Sequence, residues 1–432
     1  MKKAAFYTLG CKVNQYETEA MAEAFEKAGY TVVDFEEAAD VYVINTCTVT
    51  GLSSRKSRQA IRRAKQRNGN AVVAAVGCYP QTAKEELESM PEVDIIVGTA
   101  ERRRLPEYVE EFLKGNVRIT AVGNIMKNRS FEDLRIEKYK GRTRAIMKVQ
   151  EGCNQFCSYC IIPYARGPIR SRPAEEVISE VHKLVEAGFR EVVLTGIHIA
   201  SYGIDLGQIR LPDLIRMVHD VDGIERIRLG SLEPTMITKE FVAEAAGLEK
   251  LCPHYHISLQ SGCDETLKRM NRKYTTAEYA KAVELLREEI PDVSVTTDVM
   301  VGFPGETDEE FETTYMFLEK IRFAKMHVFK YSPRKGTPAA RHKDQVDGRV
   351  KEERSDRLIE LSNRCQLEFN RNFLGRVMPV LYEQEDNDMK GWYEGLTPNY
   401  IRVLSKGDPG ISGNILPTRL LEAENDFILG EI

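Results

Sequence analysis

At 432 residues the chain is too long for one ordinary hydrophobic core, so two or three domains are expected. Its composition, 42% hydrophobic and 29% charged, is that of a globular protein, and no apolar run approaches the ~20 residues of a membrane span. A net charge of −5 argues against a general nucleic-acid binder, so RNA contact must come from local patches. The start Met-Lys-Lys-Ala-Ala-Phe carries no secretory apolar stretch, which points to the cytoplasm. In that reducing compartment the nine cysteines favour metal binding over disulfides.

The first section alternates strand signals (Ala4–Leu9, Val41–Asn45, Ala71–Val76, Asp94–Val97) with helical spacing (Gln15–Ala28, Ser54–Arg67, Ala83–Met90, Leu105–Leu113). Such alternation predicts an open parallel sheet flanked by helices. Cys11, Cys47 and Cys78 follow the first three strands, and Cys11 and Cys78 each stand after a glycine. The carboxyl ends of parallel strands share one rim, so three cysteines distant in sequence can converge there. Unrelated buried thiols are the alternative, since free Cys packs as a small hydrophobe. Placement at three equivalent strand ends favours a three-cysteine cluster. The stretch Gly51–Asn70 holds seven cations and no acid, and Arg55, Arg58, Arg62 and Lys65 would share one helical face able to follow a phosphate backbone. A solvated charged face is the alternative.

The middle section, about Arg142 to Asn370, repeats the alternation more regularly. Strands are predicted at Ala145–Gln150, Glu191–Thr195, Arg226–Leu229, His256–Gln260, Val293–Val301 and Met326–Tyr331. Helices are predicted at Ala174–Ala187, Leu211–Val221, Thr238–Ala246, Thr276–Glu289 and Asp308–Lys320, with a charged helix at Val350–Phe373 against the outside. Six such units make a partial (β/α)6 barrel with its chemistry at the carboxyl ends of the strands. Just past the first strand stands Glu-Gly-Cys-Asn-Gln-Phe-Cys-Ser-Tyr-Cys, with Cys153, Cys157 and Cys160 at i, i+4 and i+7. A four-iron cluster normally takes four thiolates, so three leave one iron open for a small ligand. Zinc sites usually pair cysteines two by two, and no second pair lies nearby. Arg166, Arg170 and Arg172, next along, are a second candidate RNA patch.

Polar residues follow the later strands: Ser231 and Glu233 the third, Gln260 the fourth. They can touch ligand or serve ordinary turn chemistry. Asp298 lies on the fifth strand with its register open, and His198, His254 and His327 lack metal spacing and read as packing or polar-network residues. Beyond Leu374 short β-like runs (Val377–Tyr382, Ile401–Val403, Gly413–Leu420) predict a small β-barrel. This tail holds more acids than bases, including Glu383, Glu385, Asp386 and Asp388.

The Cys153/Cys157/Cys160 motif resembles that of the radical S-adenosylmethionine (radical SAM) superfamily, and the whole chain resembles the radical SAM methylthiotransferases. That family joins an N-terminal domain with three cluster cysteines, a radical SAM barrel and a C-terminal TRAM domain. The matching spans are 1–120, 140–370 and 373–432, an α/β architecture closed by a small TRAM-like β-barrel. The resemblance implies two [4Fe-4S] clusters, one on Cys11, Cys47 and Cys78 and one on Cys153, Cys157 and Cys160, with Cys252, Cys263 and Cys365 structural. It implies SAM contacts at Tyr159 (an aromatic beside the adenine), at Gly196 in Thr195-Gly196-Ile197, where the family's Gly-Gly-Glu is partly matched, and at Val301 and Gly302. Thr307 doubles as a helix N-cap.

Thr8–Glu19 (Thr-Leu-Gly-Cys-Lys-Val-Asn-Gln-Tyr-Glu-Thr-Glu) resembles the branch that places a methylthio group on C2 of N6-threonylcarbamoyladenosine beside the tRNA anticodon. Sibling branches act on isopentenyladenosine of tRNA or on a ribosomal-protein aspartate. In such chemistry one SAM methylates a sulfur on the auxiliary cluster, and a second is cleaved to a radical that removes the unreactive C2 hydrogen. The implied partners are the tRNA anticodon stem-loop and an electron-donor protein, for a monomer away from membranes. The acidic tail departs from a basic RNA-holding TRAM domain.

Overall fold

The computed structural model describes residues 2–136, 143–207 and 209–432. Arg142 and residue 140, where the middle section and its domain were expected to begin, lie outside the described residues. The first sheet contains β1 (Lys3–Thr8), β2 (Thr31–Val33), β3 (Val41–Thr46), β4 (Val72–Gly77), β5 (Ile95–Val97) and β6 (Ile119–Ala121). All are parallel, in the order β2-β1-β3-β4-β5-β6. β3 and β4 are buried along their whole length because helices cover both faces, which is why they read as continuous apolar runs. The short strands β2 and β6 carry too few apolar residues to show in sequence. β6 crosses residue 120, the expected end of the first domain.

The middle section builds β7 (Arg144–Glu151), β8 (Arg170–Ser171), β9 (Glu191–Gly196), β10 (Arg226–Leu229), β11 (His254–His256), β12 (Ser294–Val301) and β13 (Lys325–Lys330). Two parallel ladders, β7-β9-β10 and β11-β12-β13, are joined by single bridges Ile227↔Leu251 and Leu232↔Ile257, giving an open arc of six parallel strands. The fourth strand ends at His256 rather than running to Gln260. Gln260 takes φ 72°, a left-handed conformation that breaks a ladder, and beyond His256 there are only isolated bridges, Ile257 to Leu232 and Gln260 to Val299, among the described residues. Helices cover the outer face: Val177, Val181 and Leu184 recur on one side of Ala174–Glu186 and are buried. The long helix Gly348–Arg371 packs on β13 through Leu358, Leu361 and Ser362, whose Oγ accepts from Met326 N at 3.0 Å.

β14 (Val377–Glu385), β15 (Trp392–Leu396), β16 (Arg402–Lys406), β17 (Ile415–Ala423) and β18 (Ile428–Glu431) close into a barrel in the order β14-β15-β16-β18-β17. It sits on the amino-terminal ends of the open barrel's strands. There Arg226 donates to the carbonyls of Leu396 and Pro379, Arg228 donates to Pro398, and Tyr400 stacks on His254 at 4.4 Å. Several tail acids are used internally: Glu383 pairs with Arg144 and Asp386 with Arg402. Among the described residues no helix is long and apolar enough to cross a membrane.

Candidate active site

Cys11, Cys47 and Cys78 stand at the carboxyl ends of β1, β3 and β4, and these three strands are immediate neighbours in the sheet. Adjacency is what brings the thiols to one stretch of rim. Cys11 caps helix α1 (Lys12–Lys27), Cys47 leads toward helix α2 (Gly51–Arg67), and Cys78 opens helix α3 (Cys78–Thr82). Two glycines permit the approach. A Cβ on Gly10 (φ 107°) would sit 3.1 Å from Cys47 Sγ, and one on Gly77 (φ 97°) 2.7 Å from Asn45 Oδ1. Asn14 ties two of the loops by donating to the carbonyls of Leu9 and Thr46 at 2.6 and 3.1 Å.

The second set lies in the loop after β7. Gly152 (φ 77°) turns the chain so tightly that a Cβ there would stand 1.9 Å from the Pro168 carbonyl oxygen. Cys153 N then bonds Gly167 O, Cys160 N bonds Cys157 O, and Ser158 N bonds Met270 O, all within 3.0 Å. Replacing Gly152 by alanine forces both a left-handed alanine and a backbone collision. The expected cost is upwards of about 1 kcal/mol, with loss of iron from this loop. A lowered unfolding midpoint and iron content report it.

Burial pushes the Cys153 thiol up to about 11 and the Cys78 and Cys160 thiols up to about 12. Those three side chains therefore stay neutral thiols until a metal displaces their protons. Among the described residues no three His, Cys, Asp or Glu side chains converge tightly enough for a single ion. An iron–sulfur cluster meets each cysteine with a different iron and needs no such convergence. Two all-thiol sets on glycine-permitted loops fit that donor chemistry. A buried arginine serves each set: Arg166 Nε donates to Cys78 Sγ at 3.2 Å, and an Arg272 guanidinium N–H to Cys157 Sγ at 3.4 Å.

The rim residues expected around SAM fall at the carboxyl ends of β9 to β12, next to the Cys153 loop. Tyr159 lies edge-on to Phe303 at 6.4 Å, in a small apolar cluster with Met270, Tyr331 and Ala339. Gly196 ends β9, and its small size is demanded by Gln150, whose Oε1 would lie 2.8 Å from an added Cβ. Gln150 in turn accepts from His198 N at 2.7 Å. Ser231 is exposed after β10. Glu233 is buried between Arg272 at 3.0 Å and His198 at 3.5 Å. Gln260 holds its left-handed turn beside β12. Val301 ends β12, and Gly302 (φ 69°) donates its N–H to Glu306 at 2.8 Å. Asp298 faces the interior, 3.3 Å from His256. His254 and His327 join the same interior network: His254 bonds Thr296 at 3.1 Å, and the His327 ring lies 5.7 Å from that of His256.

Between the two cysteine sets runs a fully buried charge network. Glu17 of α1 lies 2.5 Å from Arg102, 2.5 Å from Arg166 and 3.2 Å from Lys148. Glu151, at the end of β7, meets Arg166 at 2.7 Å, Arg102 at 3.3 Å and Arg170 at 3.5 Å. Glu132 closes the set on Arg102 at 2.6 Å.

Residues 147–318 match the Radical SAM superfamily, and residues 3–98 match the uncharacterized protein family UPF0004. The threonylcarbamoyladenosine tRNA methylthiotransferase MtaB of Bacillus subtilis (strain 168) is 46% identical over all of this chain and 96% of its own length. The chain belongs to the radical SAM methylthiotransferases. The MtaB of Aquifex aeolicus (strain VF5) is 42% identical, over 94% of this methylthiotransferase and 97% of that protein. A tRNA-2-methylthio-N(6)-dimethylallyladenosine synthase of Pelotomaculum thermopropionicum is 36% identical, over 100% and 97%. Among solved structures, the radical SAM methyltransferase TsrM from Kitasatospora setae superposes with a TM-score of 0.56 at 17% identity, covering 79% of this chain and 77% of that one. That likeness is one of fold. Membership in the superfamily implies that the methylthiotransferase uses SAM and a [4Fe-4S] cluster.

Two expected RNA surfaces look different in three dimensions. Arg166, Arg170 and Arg172 are buried (0%, 1% and 2% exposed), spent on Glu17, Glu151 and Glu180, and do not form a surface patch. On α2, acids from other segments neutralise three of the four aligned cations: Arg58 meets Glu86, Arg62 meets Glu92 and Lys65 meets Asp94. Arg55 and its neighbour Lys56 stay exposed. Sequence reasoning passed over Arg272, Glu17 and Glu151 in this methylthiotransferase. Glu151 carried a signal by its place just before Gly152-Cys153 and Glu17 by its place in the Thr8–Glu19 segment; Arg272 carried none.

Proposed function

We propose that this methylthiotransferase converts N6-threonylcarbamoyladenosine at position 37 of tRNA to its 2-methylthio derivative. The observation that carries the reading is the 46% identity, end to end, with an enzyme named for that substrate, together with the Thr8–Glu19 segment. We assign three domains: 1–120 extended through β6, 140–370, and 373–432. The auxiliary [4Fe-4S] cluster belongs to Cys11, Cys47 and Cys78, and the SAM-binding cluster to Cys153, Cys157 and Cys160. When bound, these groups supply radical chemistry able to break an adenine C2–H bond, which has no acidic proton for a general base, and the sulfur that replaces the hydrogen.

The chain's own share is to bind, orient and exclude water. Tyr159 offers an apolar edge to the adenine of SAM, and Gly196, Ser231, Gln260, Val301 and Gly302 line the same rim. Glu233 holds Arg272 against Cys157, keeping an N–H donor aimed at a cluster sulfur. An electron-donor protein delivers the reducing equivalents, the enzyme acts as a monomer, and a tRNA substrate places it in the cytoplasm.

Anaerobic turnover with SAM and reductant tests the reading, offering tRNA that carries threonylcarbamoyladenosine and, separately, tRNA that carries isopentenyladenosine. A methylthio gain on the first alone is expected in digested nucleosides. A gain on the second alone would overturn the substrate assignment and leave the chemistry standing.

On α2 the exposed Arg55, with Lys56 beside it, carries the RNA contact, while Arg58, Arg62 and Lys65 position the helix. Arg55→Glu is expected to weaken binding to every tRNA alike and to lower the salt slope of log K by about 1. Filter binding across a salt series measures both.

A further inference from the structure

We infer that Arg166 is a positioning residue for the auxiliary cluster, supplying from the barrel domain the N–H donor and the buried positive charge that a cluster in the N-terminal domain requires. This rests on the reading that Cys11, Cys47 and Cys78 hold a cluster. Arg166 lies just past the SAM-cluster loop yet points away from it, into the other domain. It is fully buried and its guanidinium is used on every side: Nε to Cys78 Sγ at 3.2 Å, one terminal nitrogen to Glu17 and Glu151 at 2.5 and 2.7 Å, the other to Asn14 at 2.6 Å and Glu17 at 2.9 Å. Asn14 is the side chain that ties the Cys11 loop to Thr46, so one guanidinium fixes two of the three cysteine loops. Arg334 makes a parallel reach from beyond β13 to Thr48 and Ser54, at 2.7 and 3.0 Å, flanking the Cys47 loop.

The charge balance points the same way. In the buried network four cations (Arg102, Lys148, Arg166, Arg170) face three carboxylates (Glu17, Glu132, Glu151) among the described residues. An unmatched buried charge is strongly unfavourable. An iron–sulfur core held by three thiolates is a net anion, and Arg166, though it also meets Glu17 and Glu151, carries this net positive network to the sulfur of Cys78. At the other cluster the matching arginine, Arg272, is balanced one to one by Glu233, whereas the network around Arg166 holds one more cation than carboxylate among the described residues. The two sites therefore differ in local charge, one of the quantities that set a cluster's reduction potential.

The test uses full-length protein carrying Cys153→Ala, Cys157→Ala and Cys160→Ala, so that iron and spectra report the auxiliary site alone. In that background Arg166→Gln should move the midpoint potential to a more negative value and weaken iron retention against a chelator roughly 10–100-fold. Arg166→Lys, which keeps the charge, should restore the potential while recovering only part of the retention. Pulsed paramagnetic resonance on the reduced cluster, with 15N-arginine and the native Arg166, should show an arginine nitrogen coupled to the cluster. An Arg166→Gln protein with parental potential and iron retention overturns the inference. If that variant does not fold, absence of the arginine coupling in the parent overturns it. A parent that binds no iron defeats the auxiliary-cluster reading itself, which the other outcomes leave intact.

Discussion

Replacing Cys157 by alanine is expected to abolish methylthiolation while leaving tRNA binding near its original strength. The loop after β7 presents three thiols and no fourth ligand, and Arg272 is already aimed at Cys157 Sγ. Two thiols cannot hold a cluster that three barely complete, so about four iron atoms per chain should be lost and the auxiliary set kept. Neither 5′-deoxyadenosine nor methylthiolated nucleoside should form. Cys47→Ala is the informative contrast, because it lies just past β3 in the other domain: 5′-deoxyadenosine should still appear, without the methylthio product. Iron analysis, chromatography of 5′-deoxyadenosine and nucleoside mass spectrometry separate the two variants. Retained modification in Cys157→Ala would refute the assignment of that loop.

Glu17→Gln is expected to destabilise the protein by about 3–5 kcal/mol, the usual consequence of removing one partner from a buried ion network. Burial alone would raise the Glu17 pKa, but Arg102, Arg166 and Lys148 overrule it and hold the carboxyl down from 4.5 to about 2. Glutamine keeps the shape and leaves those cations under-compensated. A folded pKa below the unfolded one contributes stability that is complete above the unfolded value and is lost as pH falls through the folded value. The cluster-free parent should therefore lose stability between pH 4.5 and about 2. Glu17→Gln should flatten that part of the acid limb while lying lower at neutral pH. Urea unfolding across this range measures both. Because the network joins the N-terminal domain to β7, Glu17→Gln should also make the link between them more open to protease.

The partial barrel was legible because its signals are local. Thr276–Glu289 and Asp308–Ile321 begin with capping boxes from Thr275 and Thr307 and show buried residues at helical spacing. The small strands β2 and β6 were not legible, since three residues give no periodicity and their pairing comes from neighbours already in the sheet. The expected helix Ala83–Met90 is the shorter Lys84–Glu88, and an unexpected short helix, Cys78–Thr82, precedes it, separated by Ala83 at φ −146°.

What the sequence by itself determined was the inventory of cysteines and the order of elements that carries them. Thiol spacing is a local property, and a cysteine directly after a strand reaches the carboxyl rim whatever surrounds it. What only the tertiary structure decided was the fate of the charges. Arg166, Arg170 and Arg172 look like a basic surface along the chain, yet they are buried because Glu17 arrives from α1, Glu151 from the end of β7 and Glu180 from the helix that follows them. The cations of α2 look uncompensated within Gly51–Asn70, yet Glu86, Glu92 and Asp94 come from the next strand–helix unit. Periodicity tells which face of an element is apolar or charged. Whether a charge meets water, a carboxylate or a cluster sulfur depends on which distant segment packs against it, and burial magnifies that difference many-fold.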